Sequence, residues 1–382
     1  ETILKTNMLL KLESFTVSHI VIDETHTVSE WGDTFRPVYL ELSKLTCGFE
    51  DSESTPVVTA FTATASDKIL SRVKEIVFPG KSPELIAANP DRPNISYRVI
   101  HSISKNRQLI ELLTTSGDEA YGYPVLIFSR SRSGAELTAC MLRERMGKDN
   151  IFFYHAGLDR DEKKIIEEWF FDSNDGILIA TCAYGMGVDK KNIRTVIHME
   201  PPLTVEAYLQ ESGRAGRNRE QAEAVLMVSE KDIPGNSQGT NSITDSRYQD
   251  FIKAVTNSSR CRRESLLSLL GAESESCFGC DVCDKTIQSK IHGQNEILRL
   301  IKRYNRRLTI REAALTLAGS RYTDVFEKKL FILKGYESLS EWSIDDVKDA
   351  VNQLEAGGII KIPKRGLYRN RLCFKGRRSR RR

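Results

Sequence analysis

No stretch of this 382-residue chain is apolar for long enough to cross a bilayer, which takes about 20 consecutive apolar residues, and no signal-peptide pattern opens it. A membrane partner is therefore not expected, and the chain reads as a cytoplasmic one. A disulfide framework is lacking too. The eight cysteines read instead as metal ligands or spare thiols, as intracellular cysteines usually are. Also missing is G-x-x-x-x-G-K-[ST], the loop whose backbone N–H groups and lysine cradle β and γ phosphates. The one Gly-Lys-Ser run, Gly80-Lys81-Ser82, has Glu75 where the first glycine is required, so it is not read as a working cradle. No strong overall charge is present, since 56 Lys and Arg face 52 Asp and Glu for a net +4. With 40% hydrophobic and 28% charged residues, the chain is large enough for two or three cores.

The charge is unevenly placed. Residues 361–382 hold eleven Lys and Arg and no acid, which leaves −7 on the other 360. A polyanion is the natural partner of such a tail, through counterion release from phosphates, although Arg377 to Arg382 reads equally well as a solubilising end. Four cysteines are organised as well. Cys261, Cys277, Cys280 and Cys283 form C-x15-C-x2-C-x2-C, a closed tetrahedral thiolate set of the kind that holds a structural Zn²⁺ with no open catalytic position. Cys47, Cys140, Cys182 and Cys373 lack partners at such spacing and read as buried thiols.

Two further stretches carry chemistry. In Ser212-Gly213-Arg214-Ala215-Gly216-Arg217, two permanently charged, fork-shaped guanidinium groups at close spacing suit a triphosphate whose charge redistributes during transfer. Upstream, the apolar run Ile20 to Ile22 reads as a buried parallel strand that delivers Asp23 and Glu24 at its carboxyl end, where open α/β sheets bind ligands. Asp23 is placed to hold Mg²⁺ and Glu24 to orient or deprotonate water. Taken alone, the acid pair is equally the capping end of a strand.

Together these boxes resemble motifs II and VI of superfamily-two helicases, in wording closest to the RecQ family. Ser29 to Tyr39, with Trp31, Phe35 and Arg36, is similar to the aromatic-rich loop that follows motif II in that family and senses single-stranded DNA. Thr25 stands where the family usually has Ala, and Asp33-Thr34 where it usually has His-Asp. Phe61 to Ala65 resembles motif III, Asp91-Arg92-Pro93-Asn94 the entry to the second motor domain, Leu126 to Ser131 a diverged motif IV, and Ile179 to Asp189 motif V. The cysteine layout, down to Cys261-Arg262-Arg263, is that of the RecQ zinc module.

The resemblance implies an α/β chain: two RecA-like parallel-sheet motor domains, the first partial, followed by a helical zinc-binding module and a winged-helix domain. The boundaries expected are 1–90 and 91–230 for the motors, 231–290 for linker and zinc module, 291–375 for the winged helix and 376–382 for a basic tail. It implies ATP, Mg²⁺ and Zn²⁺ as cofactors, and single-stranded and duplex DNA as partners at the bacterial nucleoid. The catalytic set would be Asp23, Glu24, His26, Gln210, Arg214 and Arg217, with Gly187 and Asp189 also at the nucleotide. Trp31, Phe35, Arg36, Lys364, Arg365 and Arg369 would face DNA. The activity implied is 3′→5′ ATP-dependent unwinding in recombination and repair. With no cradle and an opening that aligns shortly before motif II, the chain reads as amino-truncated, inactive alone, and exposing a sheet edge within residues 1–90. A non-catalytic DNA-binding protein on a remnant motor is the rival reading. An RNA helicase of the DEAD-box sort is disfavoured by the aromatic loop and the cysteine set.

Within the last region, Thr309-Ile310-Arg311-Glu312 is a capping box that opens a helix ending near Gly319. A second helix is expected from Ser343 to Gly357, with Ile344, Val347, Val351 and Leu354 on one face. A hairpin is expected over Ile359–Ile362 and Leu367–Phe374.

Overall fold

The computed structural model describes residues 4, 8, 11–12, 15–28, 37–47, 55–62, 66–115, 121–185, 189–234, 243–273, 276–287 and 293–375. Two compact units emerge, neither contiguous in sequence. The first combines Glu1–Tyr97, Pro202–Gln221 and Gln238–Lys285; the second combines Arg98–Pro201, Ala222–Ser237 and Thr286–Arg382.

In the first unit, β1 (His19–Ile22) leads to a short 3-10 turn and α1 (Leu42–Cys47), then β2 (Val57–Ala60) and α2 (Asp67–Val77). β1 and β2 pair in parallel, His19 opposite Val57 through Ile22 opposite Ala60. The apolar run that reads as a buried strand is buried on one side only. Ile20 is 8% exposed, while Val21 and Val57 are 62% and 57% exposed. Side chains alternate across a strand, so a face packed on α1 and α2 leaves the opposite face to solvent. Among the described residues, the core of this segment holds Val28, Leu42, Ile69, Val73, Ile76 and Val77.

β3 (Ile95–His101) leads into the second unit, followed by α3 (Lys105–Thr114), β4 (Val125–Phe128), α4 (Arg132–Met146), β5 (Ile151–Tyr154), α5 (Arg160–Asp172), β6 (Ile177–Ala180) and β7 (Thr195–His198). After α6 (Val205–Ser212), which belongs to the first unit, β8 (Ala222–Val228) completes a six-stranded sheet in the order β3-β8-β7-β4-β6-β5. The four neighbouring pairs from β8 to β5 are all parallel. Strand followed by helix recurs through this stretch, which is what a parallel sheet requires of its crossovers. Helix starts follow side-chain chemistry: Ser104 and Ser131 accept the N–H of Arg107 and Gly134, and Asp159 with Glu162 forms a reciprocal capping box. Strands β4, β6 and β7 are buried at every residue.

α7 (Ile243–Thr256) and α8 (Arg262–Ser268) return to the first unit. The second unit resumes with α9 (Gln294–Arg303), α10 (Ile310–Leu317), α11 (Thr323–Glu327) and α12 (Ile344–Ala356), then the antiparallel pair β9 (Ile360–Lys361) and β10 (Cys373–Phe374). The expected cap of Thr309 with Glu312 is present, and the helix expected from Ser343 opens on a second box, Ser343 with Asp346. Val347, Ala350, Val351 and Leu354 face a shared core with Ile297, Leu300, Ala314 and Leu317. The ladder is shorter than the expected hairpin. Pro363 has no N–H to donate, Gly366 sits at φ +88° and Asn370 at φ +58°, and the N–H of Asn370 donates to the Pro363 carbonyl, so residues 363–371 turn instead of pairing.

Candidate functional site

β1 ends at Asp23, and the chain then turns sharply enough to put Glu24 at φ +49°. Side chains other than glycine seldom adopt that region, and when they do, the strain is held by their surroundings. Here the hold is visible. The Glu24 N–H donates to Asp23 Oδ1 at 2.8 Å, and the Thr27 hydroxyl donates to the Glu24 carbonyl at 2.8 Å. Thr25 is 1% exposed, and both its N–H and its hydroxyl donate to the Phe61 carbonyl at 2.9 Å. The threonine that departs from the usual alanine is therefore satisfied, and it ties the acid turn to the residues following β2.

Glu24 is the meeting point of the site. Gln210 Nε2, from α6, donates to Glu24 Oε1 at 3.3 Å. His26, 6% exposed, places Nδ1 3.3 Å from Glu24 Oε2 and 3.2 Å from the Thr62 hydroxyl oxygen. With a proton on Nδ1 the ring donates toward the carboxylate, and without one Nδ1 accepts from the Thr62 hydroxyl. The tautomer thus selects between the acid turn and the Phe61–Thr62 segment. Asp23 is exposed at the strand end and half-buried Glu24 is next to it. Such a pair of oxygen donors fits a hard divalent cation.

α6 terminates in the arginine loop. Gly216 takes φ +54°, a left-handed conformation that favours glycine, and Arg214 is buried at 7% exposure while Arg217 is exposed. Three loop carbonyls accept from one side chain: Arg92 donates to the oxygens of Gly213 at 3.0 Å, Ala215 at 3.4 Å and Gly216 at 3.1 Å. Asn94 Nδ2 adds bonds to the carbonyls of Gly216 and Glu220, each 2.8 Å. Arg92 thereby satisfies the carbonyl of the α6 C-cap, Gly213, and two carbonyls of the loop beyond it.

The four organised cysteines converge in the first unit. The sulfurs of Cys261, Cys277, Cys280 and Cys283 lie within 4.8 Å of one another. Tetrahedral ligation at a Zn–S distance of about 2.3 Å needs sulfurs about 3.8 Å apart, so the donor set fits Zn²⁺. Burial pushes the Cys283 and Cys277 thiols up. Burial acts the same way on Cys280, but N–H donors from Cys283 and Arg262 outweigh it and hold that thiol below its ordinary value. Around the cluster, Arg262 makes a two-pronged contact with Asp281 at 2.9 and 3.2 Å and donates to the Val255 and Asn257 carbonyls.

Residues 104–219 match the family model of the helicase conserved C-terminal domain. The ATP-dependent DNA helicase RecQ of Pasteurella multocida is 28% identical over 372 residues, covering 94% of this chain and 57% of that protein. Its counterpart in Haemophilus influenzae is 31% identical over 291 residues, 73% of this chain and 45% of that protein. Together these likenesses support a RecQ-family superfamily-two helicase. The chain spans a little over half the length of the Pasteurella relative. A solved structure of the DEAD-box helicase Mss116 bound to ssRNA and UDP-BeF overlays with a TM-score of 0.51 at 16% identity, over 90% of this chain and 62% of that one, a likeness of fold alone.

In this chain, six of the expected site residues are accounted for above by contact or by the loop they share: Asp23, Glu24, His26, Gln210, Arg214 and Arg217. Asp189 is exposed in the second unit. Gly187 and the aromatic-loop residues Trp31, Phe35 and Arg36 lie outside the described residues, as does the tail 376–382. Lys364, Arg365 and Arg369 are all exposed on the turn between β9 and β10. Sequence reasoning did not single out Thr62, Arg92 and Asn94 as site residues, although Phe61-Thr62 and Asp91-Arg92-Pro93-Asn94 were visible as boxes. Polar residues packed into a short segment with no periodic role were the signal.

Proposed function

We propose that a protein carrying this chain hydrolyses Mg·ATP to move 3′→5′ along single-stranded DNA and separate a duplex, in the cytoplasm. The observation that carries the reading is Gln210 Nε2 on Glu24 Oε1, because it joins the helix bearing the arginine loop directly to the water-activating carboxylate. Asp23 would hold Mg²⁺, which neutralises phosphate charge when bound. Glu24 accepts the proton of the attacking water, Gln210 orients that carboxylate, and Arg214 and Arg217 carry the charge that a transferring phosphoryl group calls for. The cysteine set would hold Zn²⁺ as a structural ion. Residues 291–375 are proposed to form a winged helix that meets duplex DNA through Lys364, Arg365 and Arg369, with Trp31, Phe35 and Arg36 on the single strand.

DNA-stimulated ATP turnover by the 382-residue chain is expected at background, because it has no G-x-x-x-x-G-K-[ST] loop. Joined to a segment that supplies such a loop, it should turn over ATP. Glu24→Gln should then abolish turnover and preserve nucleotide binding, since it removes the base and leaves Asp23 to the metal. Undiminished hydrolysis by that variant sinks the assignment.

A further inference from the structure

Arg263 has no exposed surface at all. Its guanidinium pairs with the Asp91 carboxylate and donates to the carbonyls of Arg92 at 3.1 Å and Ile95 at 2.5 Å. Its Cζ lies over the rings of Tyr97 and Phe278, 5.2 and 5.7 Å from their centroids. Burial holds the Tyr97 phenol up at about 12, so that ring stays neutral beside the ion pair. Residues 91 and 92 are consequently gripped from two directions: Arg263 holds the Asp91 side chain and the Arg92 backbone, and the Arg92 side chain reaches the three loop carbonyls of residues 213, 215 and 216. Every group in the chain of contacts lies within the first unit.

The geometry matters because of what those carbonyls belong to. The loop between Ser212 and Arg217 carries both arginines, and its fold depends on short turns: the N–H of Arg214 donates to Glu211, that of Ala215 to Ser212, and that of Arg219 to Gly216. A turn whose carbonyls accept charge-assisted bonds on the outside is held in one conformation; removing the donor leaves the Gly213 and Ala215 oxygens to find water by opening, while that of Gly216 keeps Asn94 and the Arg219 N–H. The planar fork of arginine suits three acceptors in an arc, and a lysine ammonium does not reproduce that arrangement.

We propose that Arg92, itself anchored by the buried Arg263–Asp91 pair and assisted by Asn94, is a positioning residue that fixes the loop bearing Arg214 and Arg217, so that the cysteine module and the arginine loop are mechanically one piece. Arg92 touches no reacting atom in this arrangement. What the loop does for phosphoryl transfer rests on the function proposed above; that Arg92 holds the loop does not.

The test is hydrogen exchange on the 382-residue chain, read in peptides covering 212–219. Arg92→Gln should accelerate exchange there at least about tenfold, and Asp91→Asn by a smaller factor in the same direction, while peptides from β4 and β6 and the bound metal content are unchanged. Arg92→Lys should fall between wild type and Arg92→Gln. Unaltered exchange at 212–219 in Arg92→Gln overturns the proposal. So does uniform acceleration across the first unit in both Arg92→Lys and Asn94→Ala, which marks a general structural role. In a form of the protein competent for ATP turnover, Arg92→Gln should lower kcat about ten- to a hundredfold with KM for ATP within about twofold. A loosened loop with unchanged kcat overturns the positioning role. Absence of turnover in every form removes the function proposed above but leaves the exchange result to decide the role of Arg92.

Discussion

The two units are held together by different physics. In the second, the interior is apolar: Val125, Ile127, Leu142, Ile177, Ile179 and Ile197 form one continuous core under the six-stranded sheet, and α9, α10 and α12 close another. Among the described residues of the first, the two largest fully buried side chains are arginines, Arg262 and Arg263, and the apolar cluster around β1 and β2 has six buried members. Directional contacts take the place of area there: carboxylate–guanidinium pairs, carbonyls capped by Arg92, and four converging sulfurs. An apolar core tolerates small losses gradually. A buried charge that loses its partner does not, which is why the first unit should fail abruptly and locally.

The largest expected effect tests this from the metal side. Stripping Zn²⁺ or making Cys280→Ser should unfold residues 261–283, because ligation by so small a module is folding free energy of about 10 kcal/mol or more. Amides in α8 should then exchange freely while those of β4, β6 and β7 keep their protection. Protected α8 amides in demonstrably metal-free protein would erase the distinction between the units. Next in size, Arg262→Ala should cost about 3–5 kcal/mol by leaving Asp281 buried and unpaired, whereas Leu178→Ala in β6 should cost about 2–5 kcal/mol through the cavity it leaves. Val21→Thr, on the open face of β1, should cost less than about 0.5 kcal/mol. Denaturant melts of the three variants rank them, and a Val21→Thr cost equal to that of Leu178→Ala would show that the β1 face is covered.

A smaller effect probes the polar contacts of the second unit. Burial pushes the Glu312 carboxyl up, but the Thr309 N–H and hydroxyl and the Lys328 ammonium 2.9 Å away outweigh it and hold the group below its ordinary value. A depressed carboxylate stabilises the fold above its unfolded value of about 4.3, and that contribution disappears as pH falls through the lower folded value. Glu312→Gln should therefore cost about 1 kcal/mol at neutral pH and nothing once the wild-type carboxylate is protonated. A half-exposed Lys328 keeps the ionic part modest. Equal destabilisation at both pH values would assign the loss to packing alone.

Much of this was legible before any coordinates. The capping box at Thr309, the helix start at Ser343, the cysteine spacing and the arginine loop are each written in residues near one another in the chain, and local rules read them. Burial was less legible. The run around Ile20 to Ile22 and the run at Val125 to Phe128 look alike as sequence, but β4 has a neighbour on both sides and β1 pairs, among the described residues, with β2 alone. The hairpin was overdrawn in its second strand: the turn expected at Pro363 to Gly366 runs on through Arg371, so only Cys373 and Phe374 pair back onto β9.

The sequence by itself determined which chemical groups the chain carries and at what local spacing: two carboxylates after a strand, two arginines around a glycine turn, four thiols, capped helices. Those follow from interactions between near neighbours, which the order of residues encodes directly. Only the tertiary structure decided that Gln210 meets Glu24 across 186 positions, that Arg263 closes on Asp91 across 172, and that Arg92 holds the arginine loop across more than 120. Such contacts depend on how helices and strands pack in three dimensions, and a guanidinium reads the same in a sequence whether it ends in solvent or, like that of Arg263, fully buried against a carboxylate and an aromatic ring.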